Sequence, residues 1–166
     1  MSQVKIKGNP INTVGELPKV GDQAPDFNLV KSDLSEGKLS DYKGKYVILN
    51  IFPSMDTSVC AASVRKFNQE VTKKDNTVVL AISADLPFAA GRFCSAEGIE
   101  NVIPMSTYRN AEFGKQYGIE LQDGPLQGLM GRSVIVVNPE GKIIYEELVP
   151  EITQEPNYDS VINSIV

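Results

Sequence analysis

The sequence predicts an α/β fold: a central mixed β-sheet with helices on both faces and an N-terminal β-hairpin. Residues 46–52 and 77–83 form nearly continuous apolar runs, the pattern of strands buried on both faces. Each run gives way to a helical signal. Later, residues 133–137 and 142–146 flank Asn138-Pro139-Glu140-Gly141, a strong antiparallel hairpin signal.

In chain order, Val4 and Ile6 alternate with lysines, and Gly8-Asn9-Pro10 supplies a turn before Ile11, Thr13 and Val14. Residues 1–15 are therefore read as a hairpin extension of one domain spanning 1–166. After the loop 20–25 comes a brief alternating strand at Phe27 and Leu29, and then a polar connection over 32–45. Cys60, Val64, Phe67 and Val71 step by four, three and four, an apolar helical stripe. A second helix is expected over 88–97 with Gly98 as its C-cap, then a strand over 102–105 and a short helix over 111–117 ended by Gly118. Pro156-Asn157 introduces a terminal helix carrying Val161, Ile162 and Ile165. Strand–helix–strand–helix, then hairpin, then helix, is the thioredoxin-like order.

The 166 residues suffice to bury a core without covalent staples. A net charge of −5 and a pI near 4.8 argue against nucleic acid or an anionic membrane as partner. No window approaches a membrane span, and the amino terminus lacks the apolar core of a signal peptide, so a cytoplasmic location is expected. Two cysteines and no histidine are too few for a zinc site, and no metal or cofactor is expected. The missing histidine also excludes Ser-His-Asp and Cys-His hydrolysis, and the two cysteines form no CxxC motif.

Cys60 begins the helical stripe just after a buried strand. The positive end of a helix favours thiolate over thiol, and the thiolate is the reactive species. The same position equally suits a small core residue. Thr57 can bring a hydroxyl near the sulfur or simply cap the helix; Pro53 can serve the site or simply end the strand, where its missing N–H costs nothing. Thiolate alone is insufficient. Lowering a thiol pKa from about 8.5 to about 6 raises the thiolate fraction at neutral pH roughly thirty-fold, and the accompanying loss of nucleophilicity returns about ten-fold. Fast chemistry therefore needs donors that stabilise charge developing on the substrate. Arg65, Arg92, Arg109 and Arg132 are available, and spacing does not choose among them.

Pro53-x-x-x-Thr57-x-x-Cys60 resembles the peroxiredoxin active-site motif. Longer matches are more specific: Phe52-Pro53-Ser54-Met55-Asp56-Thr57, Val59-Cys60-Ala61-Ala62-Ser63-Val64-Arg65-Lys66-Phe67-Asn68 and Ser83-Ala84-Asp85-Leu86-Pro87-Phe88. With Arg92-Phe93-Cys94-Ser95-Ala96-Glu97-Gly98 and Glu155-Pro156-Asn157-Tyr158, nearly the whole chain resembles the bacterial thiol peroxidases, atypical two-cysteine peroxiredoxins. Ser58 and Ser95 stand where glycine is usual and Gly131 where alanine is frequent; none of the three removes a reacting group.

The resemblance implies that Cys60 is the peroxidatic cysteine, oxidised to a sulfenic acid, and that Cys94 resolves it as an intramolecular disulfide. It further implies that Thr57 and Arg132 orient thiolate and peroxide, and that Pro53 shields the site. Met55 is close enough in sequence to line a substrate pocket. Thioredoxin as reductant, hydroperoxide substrates with organic ones preferred, and a homodimer complete the implied picture. Residues 125–130, apolar and glycine-punctuated, suit a loop or a dimer contact. A disulfide requires Cα atoms within about 7 Å, so two helical cysteines are expected to need local unwinding. Two other readings compete: a general thiol–disulfide oxidoreductase, and a binding domain with two inert core thiols.

Overall fold

The computed structural model describes residues 1–166. A two-stranded sheet, β1 (Gln3–Ile6) and β2 (Asn9–Asn12), precedes a seven-stranded mixed sheet. The larger sheet comprises β3 (Asn28–Lys31), β4 (Glu36–Lys38), β5 (Tyr46–Ile51), β6 (Thr77–Ser83), β7 (Val102–Ser106), β8 (Ser133–Val137) and β9 (Ile143–Leu148). Its order is β4-β3-β7-β6-β5-β8-β9. Strands β5, β6 and β7 run parallel, while β3, β4, β8 and β9 add antiparallel pairs. The helices are α1 (Ser58–Glu70), α2 (Pro87–Glu97), α3 (Phe113–Gln116) and α4 (Tyr158–Asn163). No helix is long and apolar enough to cross a membrane.

Alternation along the central strands divides the core by face. Val47, Leu49, Ile51, Leu80 and Ile82 pack with Phe27, Phe113 and Tyr117 on one side. Ile48, Phe52, Val79, Ala81, Val134 and Val136 meet Cys60, Val64 and Phe67 of α1, Ala90 of α2 and Val161 of α4 on the other. Helices thus cover both faces, unequally: α1, α2 and α4 share one, and α3 with flanking loops fills the second. The predicted stripe is the buried one, with Cys60, Val64 and Phe67 at 0% exposure. Val64 and Phe67 each contribute roughly 1.5–3 kcal/mol of transfer free energy, which anchors α1 on the sheet.

Four sequence expectations shift. The N-terminal turn is Lys7-Gly8, both at positive φ, a two-residue hairpin loop, whereas Asn9-Pro10 lies within β2. Pro10 is tolerated because Lys5 opposite it directs its N–H to the Pro150 carbonyl and its C=O to the Ile152 N–H. The polar stretch 32–45 hides strand β4 and a 3-10 turn at Leu39–Tyr42. Gly37 in β4 lets Met105 pack above it; a Cβ there would meet Met105 Cε at 2.6 Å. The short helix is only Phe113–Gln116, while α2 starts one residue early because Pro87 fits a first helical turn. Gly98 at φ 66° caps α2 as expected.

The hairpin is fastened through Glu151. Its carboxylate accepts the N–H groups of Gly8 (2.9 Å), Lys7 (3.2 Å) and Thr153 (3.1 Å) and the Thr153 hydroxyl (3.0 Å). These bonds, the Gly8 one foremost, hold its pKa down to about 2. A depressed carboxylate pKa stabilises above the unfolded value and is lost as pH falls through the folded one. The hairpin anchor should therefore weaken between pH 4.5 and about 2. Protection of the Lys7 and Gly8 amides, relative to their intrinsic exchange at each pH, should fall across that window, and Glu151→Gln should show the lower protection already at pH 7. Equal protection in the variant at pH 7 would refute the anchor.

Candidate active site

Strand β5 ends in a short, tightly tied connection to α1. The Phe52 N–H reaches the Ile82 carbonyl (3.1 Å), and the buried Pro53, which has no N–H to satisfy, ends the ladder. The Ser54 carbonyl accepts both the Thr57 N–H (3.3 Å) and the Thr57 hydroxyl (3.0 Å). Thr57 is extended (φ −109°, ψ 148°) and its carbonyl takes the Ala61 N–H (2.9 Å), so its backbone holds the N-cap position. Its side chain makes no capping bond, contrary to one sequence reading; the hydroxyl instead donates to the Ser54 carbonyl.

Cys60 is the third residue of α1, in the first turn, whose N–H groups lack intrahelical acceptors. Two buried side chains brace this turn against the sheet. Ser63 Oγ donates to the Cys60 carbonyl (2.8 Å) and accepts from Asn50 Nδ2 of β5 (3.2 Å). Spacing could have suggested Ser63, one helical turn beyond Cys60. Asn50 is a polar residue inside an apolar run, and that exception was its signal.

Topology supplies the cation. Strand β8 is antiparallel to β5 and pairs Ser133 with Ile51, so the residue before β8 arrives at the sheet end where α1 begins. That residue is Arg132, 2% exposed. Its Nη2 donates to Cys60 Sγ at 3.2 Å and its Nε to the Ile152 carbonyl at 2.9 Å, while Nη1 has no protein partner. The Ile152 N–H is in turn held by the Lys5 carbonyl (2.8 Å), so the N-terminal hairpin braces the guanidinium through one residue. The other arginines are spoken for or distant in role: Arg65 pairs with Glu97 (3.2 Å) and Arg109 Nε binds the Tyr108 hydroxyl (2.9 Å). Arg92 is exposed on α2. The buried guanidinium thus donates to the sulfur and keeps one donor, Nη1, available to an incoming oxygen.

Cys94 lies on α2, half-buried, packed with Phe93 against the cluster that contains Cys60. Both thiols are free. Burial pushes the Cys94 thiol above its ordinary pKa, which keeps it protonated in this arrangement. A cleft of about 310 Å³ separates the 54–56 segment from α2, lined among others by Met55, Asp85, Arg92 and Phe93. Met55 is 3% exposed and also packs in the core, so it lines this cleft from below. Tyr158 stacks edge-on to Phe67 of α1 (5.2 Å); burial, then its bond to Glu155, raises its phenol pKa and keeps it neutral.

The structure thus brings Cys60 and Arg132 into contact, sets Pro53 and Thr57 in the segment leading into α1, and leaves Cys94 on the neighbouring helix. Residues 19–162 match the family described as Redoxin. The chain is 53% identical over 165 residues to a thiol peroxidase of Corynebacterium glutamicum, covering 99% of each chain, and 50% identical to one of Mycobacterium bovis over the same shares. It superposes on the crystal structure of a peroxiredoxin-like protein from Aquifex aeolicus with a TM-score of 0.93 at 40% identity, over 98% of this chain and 95% of that one. With that cover and that identity, the chain belongs to the redoxin family and, within it, to the thiol peroxidases, peroxidases of the peroxiredoxin type.

Proposed function

We propose that the protein reduces hydrogen peroxide and organic hydroperoxides with electrons from thioredoxin, cycling through a Cys60–Cys94 disulfide. The observation that carries this reading is the 3.2 Å bond from a buried arginine to the sulfur of a first-turn cysteine. The Cys60 thiolate attacks one peroxide oxygen; an S–O bond forms as the O–O bond breaks. Sulfur loses two electrons, the peroxide gains them, and the departing alkoxide or hydroxide takes a proton. Arg132 Nη1, free of protein partners, stabilises the charge on the oxygens. Thr57 Oγ1, its own proton committed to Ser54, is left to accept the hydroperoxide O–H. Buried Pro53 closes the sulfur's surroundings to water.

Resolution follows. Cys94 sulfur attacks the Cys60 sulfenic acid, the S–O bond breaks, and hydroxide leaves with the Cys94 proton as water. A dithiol of the thioredoxin class then reduces the disulfide, regaining two thiols here and becoming a disulfide itself. The reading includes a cytoplasmic antioxidant role and a homodimer, for which Leu86 and Phe88, 53% and 69% exposed at the start of α2, offer apolar surface.

One assay tests this against a general disulfide oxidoreductase and an inert fold. Reduced protein receives substoichiometric cumene hydroperoxide, and free thiols are followed alongside NADPH in a thioredoxin-coupled system. The expected result is rapid loss of two thiols per peroxide consumed, with turnover. Thiols that persist at micromolar peroxide would sink the reading.

A further inference from the structure

The turn between β6 and α2 carries a carboxylate with more structural ties than a turn requires. Asp85 Oδ1 accepts the Ser54 hydroxyl (2.7 Å), and Oδ2 accepts the Met55 N–H (2.7 Å) and the Ser83 hydroxyl (2.8 Å). Its own N–H donates to Ser83 Oγ (3.2 Å). Ser54 Oγ, so oriented, accepts the Asp56 N–H (3.1 Å). One side chain therefore fastens the segment that leads into Cys60 to the turn from which the Cys94 helix departs. Asp85 touches neither sulfur. It acts on residues 54–57, whose placement sets Thr57 and the first turn of α1.

We propose that Asp85 is a positioning residue that holds the dithiol protein in its peroxide-reactive arrangement and thereby sets the balance between peroxide attack and disulfide closure. The inference rests on the Cys60–Cys94 disulfide of the proposed function. Both cysteines sit in regular helix, unbonded, with Cys60 gripped by Arg132. In this proposal, bringing the sulfurs to bonding distance, about 2.05 Å, draws the Cys60 turn out of that grip. Residues 54–57, three to six positions upstream, are carried with it, and the Asp85 bonds to Ser54 and Met55 oppose the movement. They are charge-assisted bonds, the stronger kind, and they belong to the dithiol form. Closure itself needs no outside reagent: sulfenic acid and thiol give disulfide and water.

Removing the carboxylate should weaken the dithiol form and leave the disulfide form nearly untouched. For Asp85→Ala the equilibrium between dithiol and disulfide should shift about ten-fold toward disulfide, the effect of losing roughly one charge-assisted bond. For a two-electron couple that lowers the reduction potential by about 30 mV, read against a dithiothreitol buffer. The first reaction with cumene hydroperoxide should slow several-fold. Sulfinic acid at high peroxide, counted by mass, should decrease because resolution competes better with a second peroxide. The thermal midpoint of the reduced variant should drop well below wild type while that of its oxidised form stays close.

An unchanged potential, or equal thermal losses in both redox forms, would mean a merely structural tie and would overturn the inference. Should Asp85→Ala fail to fold, Asp85→Asn and Ser54→Ala, each removing only part of the tie, are measured the same way, with a shift of about three-fold expected and none overturning. A wild-type protein that forms no Cys60–Cys94 disulfide with one equivalent of peroxide would overturn the proposed function and this inference together. A wild type that forms it beside a variant of unchanged potential overturns only the role of Asp85.

Discussion

Replacing Cys94 by serine should leave the first peroxide reduction within about two-fold of wild type and cut thioredoxin-driven turnover to below roughly one per cent. The separation follows from where the two thiols sit. Cys60 meets Arg132 without any contribution from α2, so the chemistry of O–O cleavage survives the loss of Cys94. Regeneration does not survive, because a serine hydroxyl cannot form the disulfide that a dithiol reductant attacks. Rapid mixing with one equivalent of cumene hydroperoxide should show one sulfur oxidised per chain, and trapping with dimedone should mark Cys60 as sulfenic acid. The variant should also accumulate sulfinic acid as peroxide rises, since the sulfenic acid then waits for a second attack. Normal thioredoxin-coupled cycling by Cys94→Ser would remove the resolving role outright. Burial adds a refinement: the Cys94 thiol is raised above its ordinary pKa, which lowers its thiolate fraction in the arrangement seen here.

Much of this was legible in the sequence, for reasons that differ element by element. Strands β5 and β6 declare themselves because burial on both faces demands uninterrupted apolar residues, and the stripe of α1 because burial on one face demands helical spacing. Strand β4 stayed hidden because Glu36-Gly37-Lys38 sits at a sheet edge, where one glycine beneath Met105 suffices and solvent accepts the charges. The N-terminal turn was misplaced because proline reads as a turn residue, and only the tertiary bond from Lys5 to Pro150 makes it acceptable in β2. Within the site, the motif around Cys60 was local and therefore readable. Spacing did not choose among four arginines, since the choice depends on β8 returning antiparallel to β5, and only the family resemblance pointed to Arg132. The part played by Asp85 was not legible in Ser83-Ala84-Asp85-Leu86-Pro87-Phe88, because its partners Ser54 and Met55 lie across the sheet end rather than nearby in sequence.

Arg132→Ala should lower the second-order rate constant with hydroperoxide by about 10² to 10³, the range for losing one donor that acts on developing charge. Three features argue for the upper part of that range. The guanidinium is 2% exposed, so its field acts with little solvent screening. It contacts the Cys60 sulfur directly and keeps a second donor, Nη1, without a protein partner. Its orientation is also fixed from behind, by the Ile152 carbonyl that β1 secures. Arg132→Lys separates charge from geometry. An ammonium is a point charge and lacks the planar fork that spans carbonyl, sulfur and substrate at once, so lysine should recover no more than about ten-fold of the loss. The alanine variant leaves a buried carbonyl without its donor, at a cost to stability of about 1–3 kcal/mol, so folding is checked first by thermal denaturation of the reduced protein. Stopped-flow competition against a reference peroxidase then gives the rate. A rate within three-fold of wild type in a folded alanine variant would transfer the stabilising role to another donor, and exposed Arg92 at the cleft would be the next residue to change.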